Sequence, residues 1–287
     1  EMMSLAIMHE LNNQFDGALN TAIEIFTDQH PKKFLHQLVS SQLDLDRLDY
    51  LKRDSFFTGV SEGIIGVDRI IKMLNVSDGN LVVEQKGIYS IEKFLVARRL
   101  MYWQVYLHKT GLVAENMLVN VLRRAKELTE KGEQLFASKA LTYFLSHKIS
   151  KSNFNENTLE MFSKLDDYDI LLSIKEWTNH NDKVLSLLSK MIVDRKLLRV
   201  EIQKKTFLVK DLKKKILKAS KRLNLTPTES KYFVFTDTII NQAYNLNKPI
   251  LILNKKGKLK DIAEASDQLN LQALTNPVLK YFICYPK

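Results

Sequence analysis

Residues 41 to 55 read Ser41-Gln42-Leu43-Asp44-Leu45-Asp46-Arg47-Leu48-Asp49-Tyr50-Leu51-Lys52-Arg53-Asp54-Ser55. The leucines of this stretch recur at helical spacing, which predicts a helix with one apolar side. Asp46, Tyr50 and Asp54 follow one another at intervals of four, so they share another face of that helix. The stretch therefore predicts a helix that presents a carboxylate, a phenol and a second carboxylate in a row.

Asp46 lacks the basic residue that usually follows a helical carboxylate by one turn. Asp49 has such a residue in Arg53, whereas the position four residues after Asp46 is Tyr50. Two interpretations stay open on spacing alone. Either Asp46 binds a cation that is not a side chain of this helix, or it belongs to a solvated acidic face.

The composition predicts a mainly α-helical, globular protein. Hydrophobic residues make up 45% of the 287 residues, which is enough to bury a sizeable core. Only nine glycines and five prolines occur, and leucine, lysine, glutamate and alanine dominate long stretches. These proportions favour helices over a sandwich or a barrel.

Cysteine usage and hydropathy exclude several classes of protein. Cys284 is the only cysteine, so no intrachain disulfide and no cysteine-rich zinc site can form. No apolar run approaches the roughly 18 residues of a membrane span, and the first residues lack a signal-peptide pattern. The sequence therefore predicts a cytoplasmic protein with no membrane partner.

Charge divides the chain into two parts. Residues 195–287 contain 20 Lys and Arg against 7 Asp and Glu, whereas the preceding residues contain 23 against 26. The division predicts a helical region over 1–194 and a basic α+β lobe over 195–287. In the lobe, alternating and apolar runs predict strands and helices. The strands are expected at 198–202, 232–235, 250–253 and 281–285, and the helices at 209–223 and 261–269.

Periodicity and capping residues predict the elements of the helical region. Asp68 and Ser90 are expected to cap the helices that follow them, and Asp166 and its neighbours to stabilise a helix start. The predicted helices are 18–26, 34–39, 69–74, 91–109 continuing to 127, 134–147, 158–162 and 166–177, with a strand at 81–84 after a turn at 75–80.

A second motif lies in the longest predicted helix. Arg98, Tyr102 and Tyr106 recur at intervals of four, and His108 and Lys109 follow closely. Tyrosines in such a stripe either fill a core or form a platform for a ligand. The core is the commoner use, and the neighbouring bases weaken that interpretation, so both stay open.

Residues 44–54 and 97–111 together resemble the HD-domain phosphohydrolases, specifically the deoxynucleoside triphosphate triphosphohydrolases of dGTPase type. The likeness extends in order and spacing over residues 1 to 200, and the α+β tail is similar to the carboxy-terminal lobe of those enzymes. The resemblance implies part of an HD-domain helical bundle followed by a small α+β lobe.

The resemblance also implies a metal ligand and two phosphate contacts. Asp46 matches the later aspartate that helps these enzymes hold a divalent ion, whether Mg, Mn, Fe, Ni or Zn. Arg47 and Arg98 match residues that contact phosphates. Arginine forks suit phosphate oxygens, and a carboxylate suits a hard divalent cation.

The remaining matches concern the sugar and a regulatory site. The resemblance implies that Tyr50 and Asp54 contact the sugar and its 3′-hydroxyl, and that Tyr106 lies against the sugar and base. His108 and Lys109 match positions near a regulatory nucleotide site in some members.

One part of the family pattern is absent. No His-Asp dipeptide occurs, and none of the six histidines has the surrounding motif. We therefore expect the catalytic and remaining metal-binding residues to lie upstream of Glu1, and the isolated chain to be inactive.

Three functions remain in competition. The leading one is metal-dependent hydrolysis of deoxynucleoside triphosphates to nucleoside and triphosphate, with this chain supplying part of the active site and assembling as a dimer or tetramer. The second is HD phosphatase or phosphodiesterase action on another nucleotide. The third is nucleic-acid binding through the basic residues 204–222.

Overall fold

The structure, a computed structural model, describes residues 1–267 and 274–287. Helices predominate among these residues and small sheets accompany them, which confirms the mainly α fold with α+β structure towards the carboxyl end. The chain forms two compact units. The first contains Glu1–His108 and Ile240–Leu279, and the second contains Lys109–Ile239 and Lys280–Lys287. The chain passes from one unit to the other after His108, after Ile239 and after Leu279. None of these points is the boundary predicted between residues 194 and 195, and a functional division there stays a prediction.

The described helices are numbered in chain order. They are α1 (Met2–Gln14), α2 (Asn20–Phe26), α3 (Lys33–Val39), α4 (Leu45–Thr58), α5 (Val67–Met73), α6 (Ile88–Met101), α7 (Lys109–Glu130), α8 (Lys139–Ser146), α9 (Glu156–Ser163), α10 (Asp167–Trp177), α11 (Lys183–Val193), α12 (Val209–Leu223) and α13 (Ile262–Ala265). Short 3-10 turns cover Ser61–Gly63, Gln85–Gly87 and Glu229–Tyr232, and a π-helical turn covers Tyr102–Tyr106.

Seven strands form two sheets in the described residues. They are β1 (Leu74–Ser77), β2 (Asn80–Glu84), β3 (Arg199–Gln203), β4 (Phe235–Asn241), β5 (Leu251–Leu253), β6 (Leu259–Asp261) and β7 (Val278–Tyr285). One sheet has the order β1-β2-β5-β6, in which β2 pairs parallel with β5 and the other pairs are antiparallel. The other sheet has the order β3-β7-β4, with β3 antiparallel to β7.

The first unit is built on α4 and α6. Their inward residues join the sheet residues Val83 and Ile252 in one apolar cluster, which also contains Tyr244. Gly63, in the turn after α4, allows that turn to approach both helices closely, because a Cβ there would lie 2.7 Å from Met101 Sδ and 2.7 Å from Ser55 Cβ. The cluster buries Leu48, Leu51, Ile91, Phe94, Leu95 and Met101 almost completely. It therefore fixes which faces of α4 and α6 remain outside the core.

The second unit packs α7 against α8 and α11, and α11 against α10. Trp177 is fully buried, and its indole Nε1 donates to the Phe136 carbonyl at 2.9 Å. Asp182 caps α11 and accepts two hydrogen bonds from Arg124, at 3.0 and 2.6 Å. Burial alone would raise the pKa of Asp182, but these bonds and the Leu185 N–H lower it.

Several element boundaries predicted from periodicity were wrong. The residues predicted as a turn at 75–80 include β1, because Asp78 and Gly79 at positive φ close a tight β1–β2 hairpin. The helix predicted at 69–74 starts at Val67 with Gly66 as N-cap, so Asp68 lies in the first turn instead of capping it. Gly87, and not Ser90, precedes α6.

Two further differences concern the long helix and the lobe. The helix predicted over 91–127 is interrupted by the π-helical turn, and α7 begins at Lys109. The strand predicted at 232–235 starts only at its last residue, Phe235, because Tyr232 ends a 3-10 turn and the chain bends at the two residues between them. Of the helix predicted at 261–269, the structure has Ile262–Ala265, and residues 268 and 269 lie outside the described part.

Of the described helices, none is both long enough and apolar enough to cross a lipid bilayer.

Candidate functional site

Asp44 organises the start of α4. Its carboxylate is buried, and Oδ1 accepts a hydrogen bond from the Arg47 backbone N–H at 2.8 Å. It thereby satisfies one of the N–H groups that the first turn of a helix leaves without partners. Leu45, which was expected on the apolar side, is half exposed at this first turn. The cap thus determines where the aspartate-rich helix begins.

Arg47 is held by the same aspartate. Its guanidinium Nη1 pairs with the second oxygen of Asp44 and donates to the Ser41 carbonyl at 2.6 Å. The side chain keeps 30% of its accessible surface. Its predicted phosphate contact therefore depends on the guanidinium nitrogens that these bonds leave available.

Asp46 is exposed in the first turn of α4. No hydrogen bond or ion pair joins its carboxylate to another described residue. Residues 1–267 and 274–287 also contain no group of three or more His, Cys, Asp or Glu side chains that could bind a metal ion. Because hard divalent cations take about six oxygen ligands, Asp46 alone does not fit a metal centre.

The π-helical turn places two tyrosines, Tyr102 and Tyr106, close to Tyr50 of α4. Tyr106 lies edge-on to Tyr50, with ring centroids 5.8 Å apart, and edge-on to Tyr102 at 5.2 Å. Its hydroxyl donates to Asp54 Oδ2 at 2.6 Å. The structure thus brings together Tyr50, Asp54 and Tyr106, three residues that were predicted to contact the sugar. π-turns are frequent at functional sites.

Burial keeps these phenols protonated. Burial, followed by the hydrogen bond to Asp54, raises the pKa of Tyr106. Burial and then Tyr102 raise the pKa of Tyr50 to about 12, although Arg98 and Arg47 act in the opposite direction. At neutral pH both phenols are therefore hydrogen-bond donors beside the Asp54 carboxylate.

We predict that Tyr50→Phe makes the free energy of unfolding fall less steeply as the pH rises above about 10. In the unfolded chain a tyrosine ionises near pH 10, whereas the folded protein holds Tyr50 protonated to about 12. The folded state thus binds the extra proton, so stability falls as pH rises from about 10 to about 12. Urea titrations across this range measure the slope. Equal slopes in the parent and in Tyr50→Phe would contradict the assignment, and Tyr168→Phe, at an exposed tyrosine, is the control.

Arg98 is the most unusual side chain near the tyrosines. The residue is 9% exposed, and its guanidinium carbon lies 5.9 Å from the centre of the Tyr102 ring. Two of its buried nitrogens, Nε and Nη1, have no hydrogen-bond partner among the described residues. A buried cation with unsatisfied donors is costly, and anion binding is one reason to retain it.

His108 and Lys109 are both exposed. His108 ends the first unit and Lys109 begins α7 in the second. Their predicted regulatory role stays a prediction.

Two residues of this site were not singled out from the sequence. Asp44 carries an N-cap signal, an aspartate before a run with leucines at helical spacing, which could have identified it. Tyr102 was noted only as part of a stripe. Its contacts with Arg98 and Tyr106 are those of residues four apart along a helix, so the spacing of the stripe was the available sequence signal.

Comparisons with known proteins identify the family. A family model described as the HD associated region matches residues 65–152. The crystal structure of a phosphohydrolase from Bacteroides thetaiotaomicron is 52% identical and has a TM-score of 0.94, covering 99% of this chain and 71% of that one. The chain belongs to the HD-domain phosphohydrolases.

Other relatives of this HD phosphohydrolase are more distant. The uncharacterized protein YwfO of Bacillus subtilis is 29% identical over 85% of this chain and 55% of its own length. A deoxynucleoside triphosphate triphosphohydrolase SAMHD1 homolog of Dictyostelium discoideum is 27% identical over 36% of this chain and 21% of that protein. The HD phosphohydrolase chain thus spans about half the length of YwfO and less of the Dictyostelium protein.

Proposed function

We propose that this chain supplies the substrate-binding part of an enzyme that hydrolyses deoxynucleoside triphosphates to nucleoside and triphosphate. The name of the Dictyostelium relative supports this reaction among those of HD phosphohydrolases. The support within the chain is chemical, and it comes from the arrangement of Arg98, the tyrosines and Asp54.

The buried guanidinium of Arg98 is the observation that carries the proposal. Its Nε and Nη1 groups are desolvated without partners. A triphosphate offers several charged oxygens, and charge-assisted bonds to them are roughly twice as strong as neutral ones. Arg47 is also near this phenol, since both arginines act to lower the pKa of Tyr50. Two arginines close to the Tyr50 phenol suit a ligand that carries phosphates next to a sugar.

Asp54 and the tyrosines support binding of the sugar. The Asp54 carboxylate already accepts from a hydroxyl, that of Tyr106. A sugar 3′-hydroxyl is the same kind of donor, and an ionised carboxylate retains further lone pairs for it. The three rings provide an apolar wall for the deoxyribose carbons.

Metal dependence belongs to the proposal and rests on the resemblance alone. Asp46 would contribute one carboxylate to a divalent ion. The described residues do not form a complete metal site.

The products distinguish the competing reactions. Incubating a full-length protein that contains this chain and the expected upstream metal ligands with each deoxynucleoside triphosphate and Mn²⁺ or Mg²⁺ should release inorganic triphosphate and nucleoside. Release of single phosphates, or cleavage of a phosphodiester, would replace this proposal with the phosphatase or phosphodiesterase alternative. Sedimentation of the same sample tests the dimer or tetramer, which stays a prediction.

We predict that Asp54→Asn weakens the binding of a deoxynucleoside triphosphate by roughly 10-fold or more. The substitution keeps an oxygen for Tyr106 but removes the charge that strengthens a bond from the sugar hydroxyl, which is worth about 1.5–3 kcal/mol. Calorimetric titration of the 287-residue chain measures the affinity. Asp49→Asn is the control, because Asp49 lies exposed on the same helix and pairs with Arg53. Equal affinities for both variants would contradict a sugar contact at Asp54.

A further inference from the structure

A basic cleft in the second unit is separate from the candidate active site. It has a volume of about 930 Å³ and lies between β3, α12 and the last residues of the chain. Seven basic residues line it, against two acidic ones. The basic residues include Lys214, Lys218 and Lys221 of α12, and the acidic ones are Glu201 and Asp211.

The acidic side chains neutralise little of this charge. Lys215 lies 3.4 Å from Glu201, which also accepts a hydrogen bond from the Tyr285 hydroxyl. No ion pair joins Lys214, Lys218 or Lys221 to a carboxylate of the described residues, and all three are exposed. The cleft therefore retains a positive potential that favours anions.

Tertiary structure adds aromatic rings to these bases. Phe207 precedes α12 and Tyr285 lies in β7, yet both line the cleft. The Lys215 ammonium sits 3.3 Å from the centre of the Tyr285 ring. Aromatic rings beside lysines are the combination that binds the bases and the backbone of single-stranded nucleic acids.

The basic surface continues beyond the cleft. Lys214, Lys218 and Lys221 also border a shallower depression of about 540 Å³, which Lys210 and Lys213 complete. The 15 residues of α12 extend over about 22 Å. This length exceeds what a single nucleotide can contact. We propose that the cleft and the outer face of α12 bind single-stranded nucleic acid, with the lysines on successive phosphates and Phe207 stacking on a base.

A lipid surface is the competing partner. Leu208, Val209 and Leu217 are exposed on or beside α12, and a basic amphipathic helix can lie on anionic lipid. Phe207, in contrast, is half-buried in the wall of the cleft, where a flat bilayer does not reach it but a flexible strand does. The concave site therefore favours nucleic acid.

Fluorescence anisotropy with a labelled oligothymidylate tests the proposal on the 287-residue chain. Binding should weaken steeply between about 50 and 200 mM salt. Combining Lys214→Gln, Lys218→Gln and Lys221→Gln should reduce the slope of log affinity against log salt by about 2, since each phosphate contact on a single strand contributes about 0.7. Phe207→Leu, which keeps an apolar side chain, should lower affinity about fivefold or more at every salt concentration.

The control removes the same charge elsewhere in the second unit. Lys131→Gln, Lys148→Gln and Lys151→Gln together change exposed lysines outside the cleft and should leave the salt slope unchanged. Equal slopes for the two triple variants would overturn the proposal. So would displacement of the oligonucleotide by thymidine triphosphate at equal phosphate concentration, or binding to phosphatidylserine vesicles without binding to the oligonucleotide.

Discussion

Arg98→Met is expected to lower the affinity for a deoxynucleoside triphosphate at least about 100-fold while leaving the protein equally stable or up to about 2 kcal/mol more stable. The loss follows from two charge-assisted hydrogen bonds, each worth about 1.5–3 kcal/mol. The stability follows from burial, because Nε and Nη1 of Arg98 have no hydrogen-bond partner in the part of the chain that the structure describes, whereas a methionine side chain of similar volume needs none. A residue that costs stability but supports binding is characteristic of functional sites.

Calorimetric binding and urea unfolding together decide this prediction. Arg99→Met, at the half-exposed neighbouring position of α6, is the matched control and should bind the nucleotide like the parent. If Arg98→Met instead unfolds at clearly lower urea concentration and binds normally, Arg98 serves the fold. Inorganic tripolyphosphate as a second ligand shows whether the lost contact is to phosphate.

Asp44→Ala is expected to destabilise the first unit by about 2–4 kcal/mol. The substitution removes the N-cap of α4, worth about 1 kcal/mol, and leaves the partly buried Arg47 side chain without its carboxylate. Urea unfolding measures the total cost. Hydrogen exchange of the amides in residues 45–58 shows whether the loss is centred on α4.

Two companion variants separate the contributions. Asp44→Asn keeps an oxygen for the Arg47 N–H and loses only the charge, so it should cost about half as much. Asp46→Ala, two residues later and exposed without a partner, should stay within about 0.5 kcal/mol of the parent. A large loss of stability in Asp46→Ala would show that Asp46 holds the fold, and would remove the reason to regard it as a ligand.

These variants distinguish two aspartates that the sequence presents side by side. Asp44 turns inward and organises the helix start, whereas Asp46 points to solvent. The spacing of Asp46, Tyr50 and Asp54 was correctly read as one helix, α4. The role of Asp44 as N-cap and as partner of Arg47 was not predicted, because an N-cap is defined by backbone geometry as well as by residue type.

Local signals were sufficient for several other elements. The predicted helix at 209–223 matches α12, since its apolar and basic residues separate cleanly onto two faces. Asp166 caps α10 as expected, and forms a reciprocal capping box with Asp169. Both features depend on residues within one or two turns of each other, so the sequence contains them directly.

Features that depend on distant residues were missed. The strands predicted in the basic lobe divide between two sheets, because β5 pairs with β2, more than 160 residues earlier. The π-turn at Tyr102–Tyr106 inserts into a helix whose periodicity reads as continuous. Neither can be derived from spacing, since each depends on packing that local propensity does not encode.

The sequence by itself determined the helical character of the chain, the shared face of Asp46, Tyr50 and Asp54, and the concentration of basic residues after position 194. Its motifs also indicated an HD phosphohydrolase. Only the tertiary structure decided that Tyr106 donates to Asp54, that Arg98 is buried with unsatisfied donors, and that Phe207 and Tyr285 share a cleft with the lysines of α12. The physical reason is that helical faces follow from local periodicity, whereas burial and hydrogen-bond partners follow from chain segments that meet only after folding.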